Sequence, residues 1–128
     1  MKFVIYYHKD IYKSGEILQN IMDQNYSRFE RQTLQTFNSL KEKFKNGCDY
    51  NEKEIFILFA DTHGRLNQLS SLIDLMEDKC LILILADESR STLSKAYGLF
   101  PRFCTKISDN YDELCRILNK MITNEQNP

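Results

Sequence analysis

Asp61 and Lys106 are the two residues of this sequence whose type and position are best suited to chemistry. Asp61 directly follows the apolar run Glu54–Ala60, and Lys106 ends the short run Phe103–Lys106. A carboxylate can act as a nucleophile or bind a cation, and a compact ammonium group can neutralise negative charge beside it. The simpler alternatives are that Asp61 caps the helix after it and that Lys106 is a solvated lysine.

Further polar residues follow other apolar runs. His8 and Asp10 come after the first run, His63 stands two residues after Asp61, and Glu88 follows the run that ends at Ala86. Each has a plain structural alternative, because a histidine is more often a satisfied polar residue than a ligand, and acids in turns are commonly solvated.

The elements that must position these residues alternate between strand and helix. Three runs are apolar throughout, which is typical of strands covered on both faces: Lys2–Tyr7, Glu54–Ala60 and Cys80–Ala86. Weaker patterns predict a short strand within Ser27–Phe37 and another at Arg102–Ile107.

Helical spacing of apolar residues predicts five helices between and after these strands. They run from a cap at Ser14 to about Asn25, from a cap at Asn38 through Phe44, from just past Gly64 through Met76, from Leu93 to Tyr97, and from the capping pattern Asp109–Glu113 to Ile122. The second helix should carry Lys43 on its outer, solvated side, and Asn46-Gly47 should end it before a loop at 48–53.

This order predicts a three-layer α/β fold, a doubly wound five-stranded parallel sheet with helices on both faces, flavodoxin-like or receiver-like. We expect one domain over residues 1–122 and a polar tail over 123–128. In such sheets ligands gather beyond the carboxyl ends of the strands, so Asp61, Lys106, His8, Asp10, His63 and Glu88 are expected on one rim.

With Asp61 after the third strand and Lys106 at the end of the fifth, the chain resembles the receiver domains of bacterial response regulators. The resemblance implies that Asp61 is the phosphoacceptor and that Lys106 contacts the phosphoryl group. It also implies that Phe103, three residues before the lysine, is the aromatic switch residue. Receivers hold a divalent ion such as Mg²⁺ beside the aspartate, and here Asp61 and Asp10 are its candidate ligands.

The sequence departs from the receiver pattern in three places. Tyr7 and His8 stand where receivers carry an acidic pair, Ala86 stands at the switch position that normally bears a hydroxyl, and Ile107 replaces the usual proline. These departures predict impaired phosphorylation and a degenerate receiver, or pseudoreceiver.

The resemblance implies a stand-alone signalling module of two-component or phosphorelay systems that is not an enzyme. Its expected partner is a protein: a histidine kinase, a phosphotransfer protein, a downstream target or a second copy. The apolar string Leu99-Phe100-Pro101 lies beside the face that receivers commonly use for such contacts.

Composition supports a globular, cytoplasmic protein. The formal net charge of -1 provides no global field for nucleic acid or anionic membranes, and no apolar run approaches the ~20 residues of a membrane span. The four cysteines share no zinc-site spacing and are expected as reduced thiols.

Two other functions fit the same fold class. One is a flavodoxin-like domain that binds a small molecule, although no glycine-rich phosphate loop follows the first strand. The other is a purely structural oligomerisation domain.

Overall fold

The computed structural model describes residues 1–46 and 53–126, and five parallel strands form its centre. The strands are β1 (Lys2–Tyr6), β2 (Glu30–Leu34), β3 (Glu54–Ala60), β4 (Cys80–Leu85) and β5 (Phe103–Lys106). Their spatial order is β2-β1-β3-β4-β5, and every neighbouring pair is parallel. This confirms the predicted doubly wound sheet with the flavodoxin-like strand order.

Five α-helices within the described residues cover the sheet. They are α1 (Tyr12–Asn25), α2 (Phe37–Lys45), α3 (His63–Ser70), α4 (Arg90–Tyr97) and α5 (Asp112–Gln126). Short 3-10 turns at Lys9–Ile11 and Ile73–Leu75 precede α1 and follow α3. The third helix is therefore shorter than its apolar spacing predicts, and Ile73 is exposed.

Alternation along the central strands separates two cores. Phe56, Leu58 and Ala60 of β3 face the layer of α2, α3 and α4, whereas Ile55, Ile57 and Phe59 face the layer of α1 and α5. Both faces of β3 are buried, which is why its sequence is apolar without interruption from Ile55 to Ala60.

Several predicted helix boundaries are wrong by one turn or less. Thr36, not Asn38, caps α2, because its side chain accepts a hydrogen bond from the Ser39 amide at 3.1 Å. Ser14 lies inside α1, which begins at Tyr12 without a side-chain cap. At the other end of the chain, α5 continues to Gln126, past the predicted start of a polar tail at 123.

Two other expectations concern charge and cysteines. Lys43 turns inward and pairs with the buried Glu54 at 2.7 Å, contrary to the predicted solvated position. Cys80, Cys104 and Cys115 are free thiols, while Cys48, Gly47 and most of the predicted loop 48–53 fall outside the described residues. Within the described part of the chain, no helix is long and apolar enough to cross a membrane.

Candidate functional site

The carboxyl ends of β1 and β3 bring Asp10 and Asp61 together. Asp61 directly follows β3, and Asp10 lies in the 3-10 turn after β1. These two strands are neighbours, and the order of the sheet reverses between them. In open α/β sheets this reversal leaves a crevice between the two following loops, where binding sites form.

Arg65 of α3 closes this crevice by bridging both carboxylates. Its Nη1 lies 2.7 Å from Oδ1 and 2.6 Å from Oδ2 of Asp61, and its Nη2 lies 3.1 Å from Oδ2 of Asp10. The Asp61 and Arg65 side chains are only 10% and 18% exposed, whereas that of Asp10 is 64% exposed. The Asp61 half of the bridge is therefore shielded from water and the Asp10 half is not.

The helix that carries Arg65 is capped by Thr62. The Thr62 hydroxyl accepts a hydrogen bond from the Arg65 amide at 3.1 Å, which satisfies one free N–H of the first turn of α3. Asp61 is thus not the side chain that caps this helix, and its carboxylate is available for the Arg65 guanidinium.

Electrostatics favour the charged form of Arg65. The hydrogen bond to Asp61 raises the pKa of Arg65 above its ordinary value, and this outweighs the lowering caused by burial. The two charges also act on Tyr6, the last residue of β1, whose pKa is raised chiefly by burial of its phenol. Arg65 therefore remains a permanent cation at the crevice.

His8 caps the 3-10 turn that contains Asp10. Its Nδ1 accepts a hydrogen bond from the Asp10 amide at 3.1 Å and lies 3.2 Å from the Asp10 Oδ2. His8 thus serves as the cap of the turn, which is its plain structural role.

Lys106 lies at the end of β5, as predicted. Among the described residues it forms no ion pair with Asp61, whose oxygens are held by Arg65. The pKa of Asp109, three residues further on, is lowered chiefly by the Thr105 hydroxyl, which donates to Asp109 Oδ2 at 2.6 Å, with smaller contributions from the Lys106 backbone and its ammonium. A phosphoryl-contacting role for Lys106 stays a prediction.

The loop after β4 forms the other part of the rim. Ala86 and Glu88 are exposed, and Asp87 accepts a hydrogen bond from the Ser89 amide at 2.9 Å. The Ser89 amide and side chain lower the pKa of Asp87, with a smaller contribution from His63. Ser89 carries the first hydroxyl after Ala86 in the sequence. This hydroxyl caps α4 by accepting a hydrogen bond from the Thr92 amide.

The aromatic residues around β5 divide into buried and exposed ones. Phe103, the predicted switch residue, is half-buried and packs against the α1 and α5 core. Tyr97 at the end of α4 and Phe100 in the following loop are 58% and 83% exposed. Phe100 also has a φ of 54°, a left-handed conformation that is unfavourable for a bulky side chain.

The sequence predicts Asp61 and Asp10 as magnesium ligands, and both carboxylates lie at the crevice. No group of three or more acidic, histidine or cysteine side chains within residues 1–46 and 53–126 is arranged to hold a metal ion.

A separate cleft of roughly 550 Å³ lies beside β2 and α2, lined by Gln32, Asn38, Ser39, Glu42, Lys43 and Asn46. It does not include the residues of the Asp61 rim.

Arg65 is the residue of this site that sequence reasoning missed. Its signal was present, because an arginine four positions after Asp61 within the first turn of a helix is placed to pair with it. The contact with Asp10, 55 positions away, depends on the sheet order and is not legible from spacing.

Comparison with known proteins supports the fold. No protein-family model matches the chain, and no curated protein matches it. A matching solved structure is the crystal structure of a response regulator protein from Burkholderia pseudomallei with a phosphorylated aspartic acid, calcium ion and citrate. The match has a TM-score of 0.61 at 14% identity and covers 99% of this chain and 75% of that one. The chain thus has a receiver-like fold.

Proposed function

We propose that this protein is a cytoplasmic receiver-like signalling module that acts by binding a protein partner and is not an enzyme. The fold supports a receiver-like module, and the position of Asp61 after β3 is the one that the resemblance implies for a phosphoacceptor. The departures at Tyr7, His8 and Ala86 support a pseudoreceiver in which phosphorylation is impaired.

Phe100 is the single observation that carries the binding function. A phenyl ring that is 83% exposed contributes little to the core, and its left-handed backbone costs on the order of 1 kcal/mol. Tyr97 is exposed on the helix that precedes this loop. Aromatic side chains presented in this way are typical of the energetic centre of protein interfaces.

The state of the Asp61 carboxylate supports the proposed impairment of phosphorylation. Both oxygens accept hydrogen bonds from the Arg65 guanidinium, so a phosphoryl donor would have to displace this group before attack. The exposed Ala86 offers no hydroxyl through which a phosphoryl group would reposition an aromatic residue such as Phe103.

Site-specific photo-crosslinking tests the binding function. A photo-reactive phenylalanine analogue is placed at position 100 and, as the matched control, at position 12, where Tyr12 is 50% exposed on α1. We expect position 100 to capture a defined protein, or a second copy of the chain, and position 12 to capture neither. Phe100→Ser should weaken binding of the captured partner at least about tenfold. Equal binding by Phe100→Ser and the wild type would refute this role of Phe100.

Beryllofluoride, a mimic of an aspartyl phosphate, tests whether phosphorylation of Asp61 is impaired. Amide NMR spectra of the wild type and Asp61→Asn are compared with Mg²⁺ present, before and after beryllofluoride is added. We expect no saturable shift at Asp61 in the wild type. A full response that disappears in Asp61→Asn would show a working acceptor and contradict the pseudoreceiver assignment.

A further inference from the structure

The bridge made by Arg65 joins two elements that are distant in sequence. Asp61 lies four positions before Arg65, but Asp10 lies 55 positions away on the turn after β1. An exposed pair of neighbouring helical residues would contribute little by itself. Here, however, the Asp61 and Arg65 side chains are largely buried, and the guanidinium spans the crevice at which the strand order reverses.

The residues at this crevice do not fit a divalent ion as they stand. Mg²⁺ requires near-octahedral coordination by oxygen and is commonly held in proteins by one or two carboxylates with water. Asp61 offers such oxygens, but both accept from Nη1 of Arg65, and Oδ2 of Asp10 accepts from Nη2. A cation added beside the guanidinium would meet a fixed positive charge a few ångströms away.

We propose that Arg65 is a built-in counter-cation that replaces the divalent ion of the Asp61 site. Its guanidinium neutralises Asp61 and Asp10 and ties the two loops together without a metal. This inference rests on the proposed function, because it treats Asp61 as the site of a receiver-like module. It adds that Arg65 is the group that neutralises the Asp61 carboxylate. Removing the guanidinium should uncover a two-carboxylate site that accepts Mg²⁺ with water as additional ligand.

Titration of amide NMR spectra with Mg²⁺ tests this replacement. The variants are Arg65→Met, which removes the charge at similar length, the double variant Arg65→Met with Asp61→Asn, and Arg90→Met, which removes an exposed arginine at the start of α4. We expect no saturable shifts at Asp10 and Asp61 in the wild type and Arg90→Met. Arg65→Met should bind Mg²⁺ at least about tenfold more tightly, and the double variant should lose this gain.

Two outcomes would overturn the proposal. One is a wild type that binds Mg²⁺ at Asp10 and Asp61 as tightly as Arg65→Met. The other is a folded Arg65→Met that gains no binding. Partner capture at position 100 is measured separately, so failure of this inference and failure of the binding function are distinguishable.

A measurement on the wild type covers the case in which Arg65→Met does not fold. The side-chain nitrogen resonances of Arg65 should show slowed rotation of the guanidinium, because a group held by two carboxylates cannot turn freely. Asp61→Asn should restore fast rotation, while Asp23→Asn, at an acid that pairs with Arg31, should not. Fast rotation of Arg65 in the wild type would refute the bridge.

Discussion

At the scale of single residues, Phe100 combines exposure with an unfavourable backbone. Its φ of 54° suits glycine or asparagine better than a bulky side chain. Phe100→Asn should therefore raise the free energy of unfolding by about 0.5–1 kcal/mol, as measured by urea denaturation.

The matched control for this variant is Tyr97→Asn. Tyr97 is also exposed, but it has an ordinary helical backbone and similar helix propensity to Asn, so its replacement should change stability little. A loss of stability in Phe100→Asn would mean that the ring contributes to packing. A gain would show that Phe100 is retained at the expense of stability, as expected for a binding residue.

Tyr111 predicts a loss of stability at alkaline pH. Burial, and to a smaller extent Asp109, raises the pKa of this phenol from 10.0 to about 12. The unfolded chain therefore loses the proton first as pH rises, so stability is full below pH 10.0 and falls until about pH 12.

The size of this effect is on the order of 2 kcal/mol, because each unit of pKa difference corresponds to about 1.4 kcal/mol. Urea denaturation below pH 10.0 and near pH 12 should show a smaller alkaline loss for Tyr111→Phe than for the wild type. Tyr97→Phe, at an exposed tyrosine, is the control and should retain the full loss. Identical pH profiles for Tyr111→Phe and the wild type would contradict this assignment.

At the scale of elements, Gly15 sets how closely α1 packs on the sheet. A Cβ at this position would lie within 2.5 Å of Cδ2 and Cζ of Tyr7, whose ring packs edge-on against Phe59. Gly→Ala in a helix normally stabilises by up to about 1 kcal/mol, but this clash should reverse the sign. Gly15→Ala should lower stability by about 1–3 kcal/mol in thermal or urea unfolding.

Gly64 in the first turn of α3 is the internal control. The atom nearest to an added Cβ is the Thr62 hydroxyl oxygen at 3.8 Å, an ordinary contact. Gly64→Ala should leave stability unchanged or raise it by up to about 1 kcal/mol. Equal effects of the two substitutions would show that α1 can move away from Tyr7.

The elements also show what the sequence could predict. The predicted bounds of β3 are correct because both faces of this strand are buried, so its residues after Glu54 are apolar without a break. Caps were harder, since Thr36 and Asn38 are both suitable residues and a local hydrogen bond decides between them. The predicted solvated position of Lys43 is wrong because its partner Glu54 lies on a different element, which helical spacing alone does not reveal.

At the scale of the whole molecule, the candidate site illustrates the same limit. Sequence order placed Asp61 and Lys106 at the ends of two strands because a parallel sheet has one carboxyl edge. It did not reveal which cation reaches Asp61, because that depends on the helix turn that presents Arg65 and on the adjacency of β1 and β3. The rim was thus predictable and its ion pairing was not.

The two cores share their central strands, so we expect them to unfold together. Leu58 of β3 is fully buried on the side of α2, α3 and α4, and its backbone neighbours Ile57 and Phe59 belong to the opposite core. Leu58→Ala should lower the free energy of unfolding by about 2–5 kcal/mol. If unfolding is two-state, the free energy of opening falls by the same amount on both faces of the sheet.

Amide hydrogen exchange measures this coupling directly. The most protected amides of α3, on the mutated side, and of α5, on the other side, should lose protection by the same factor in Leu58→Ala. Ile73→Ala removes an apolar side chain that is 43% exposed, and it should change protection little on either side. A loss confined to α3 would show that the layers open separately. Equal loss would show that the two layers on either side of the sheet unfold as one cooperative unit, so the loops that carry Asp10 and Asp61 keep their arrangement only while the whole sheet is folded.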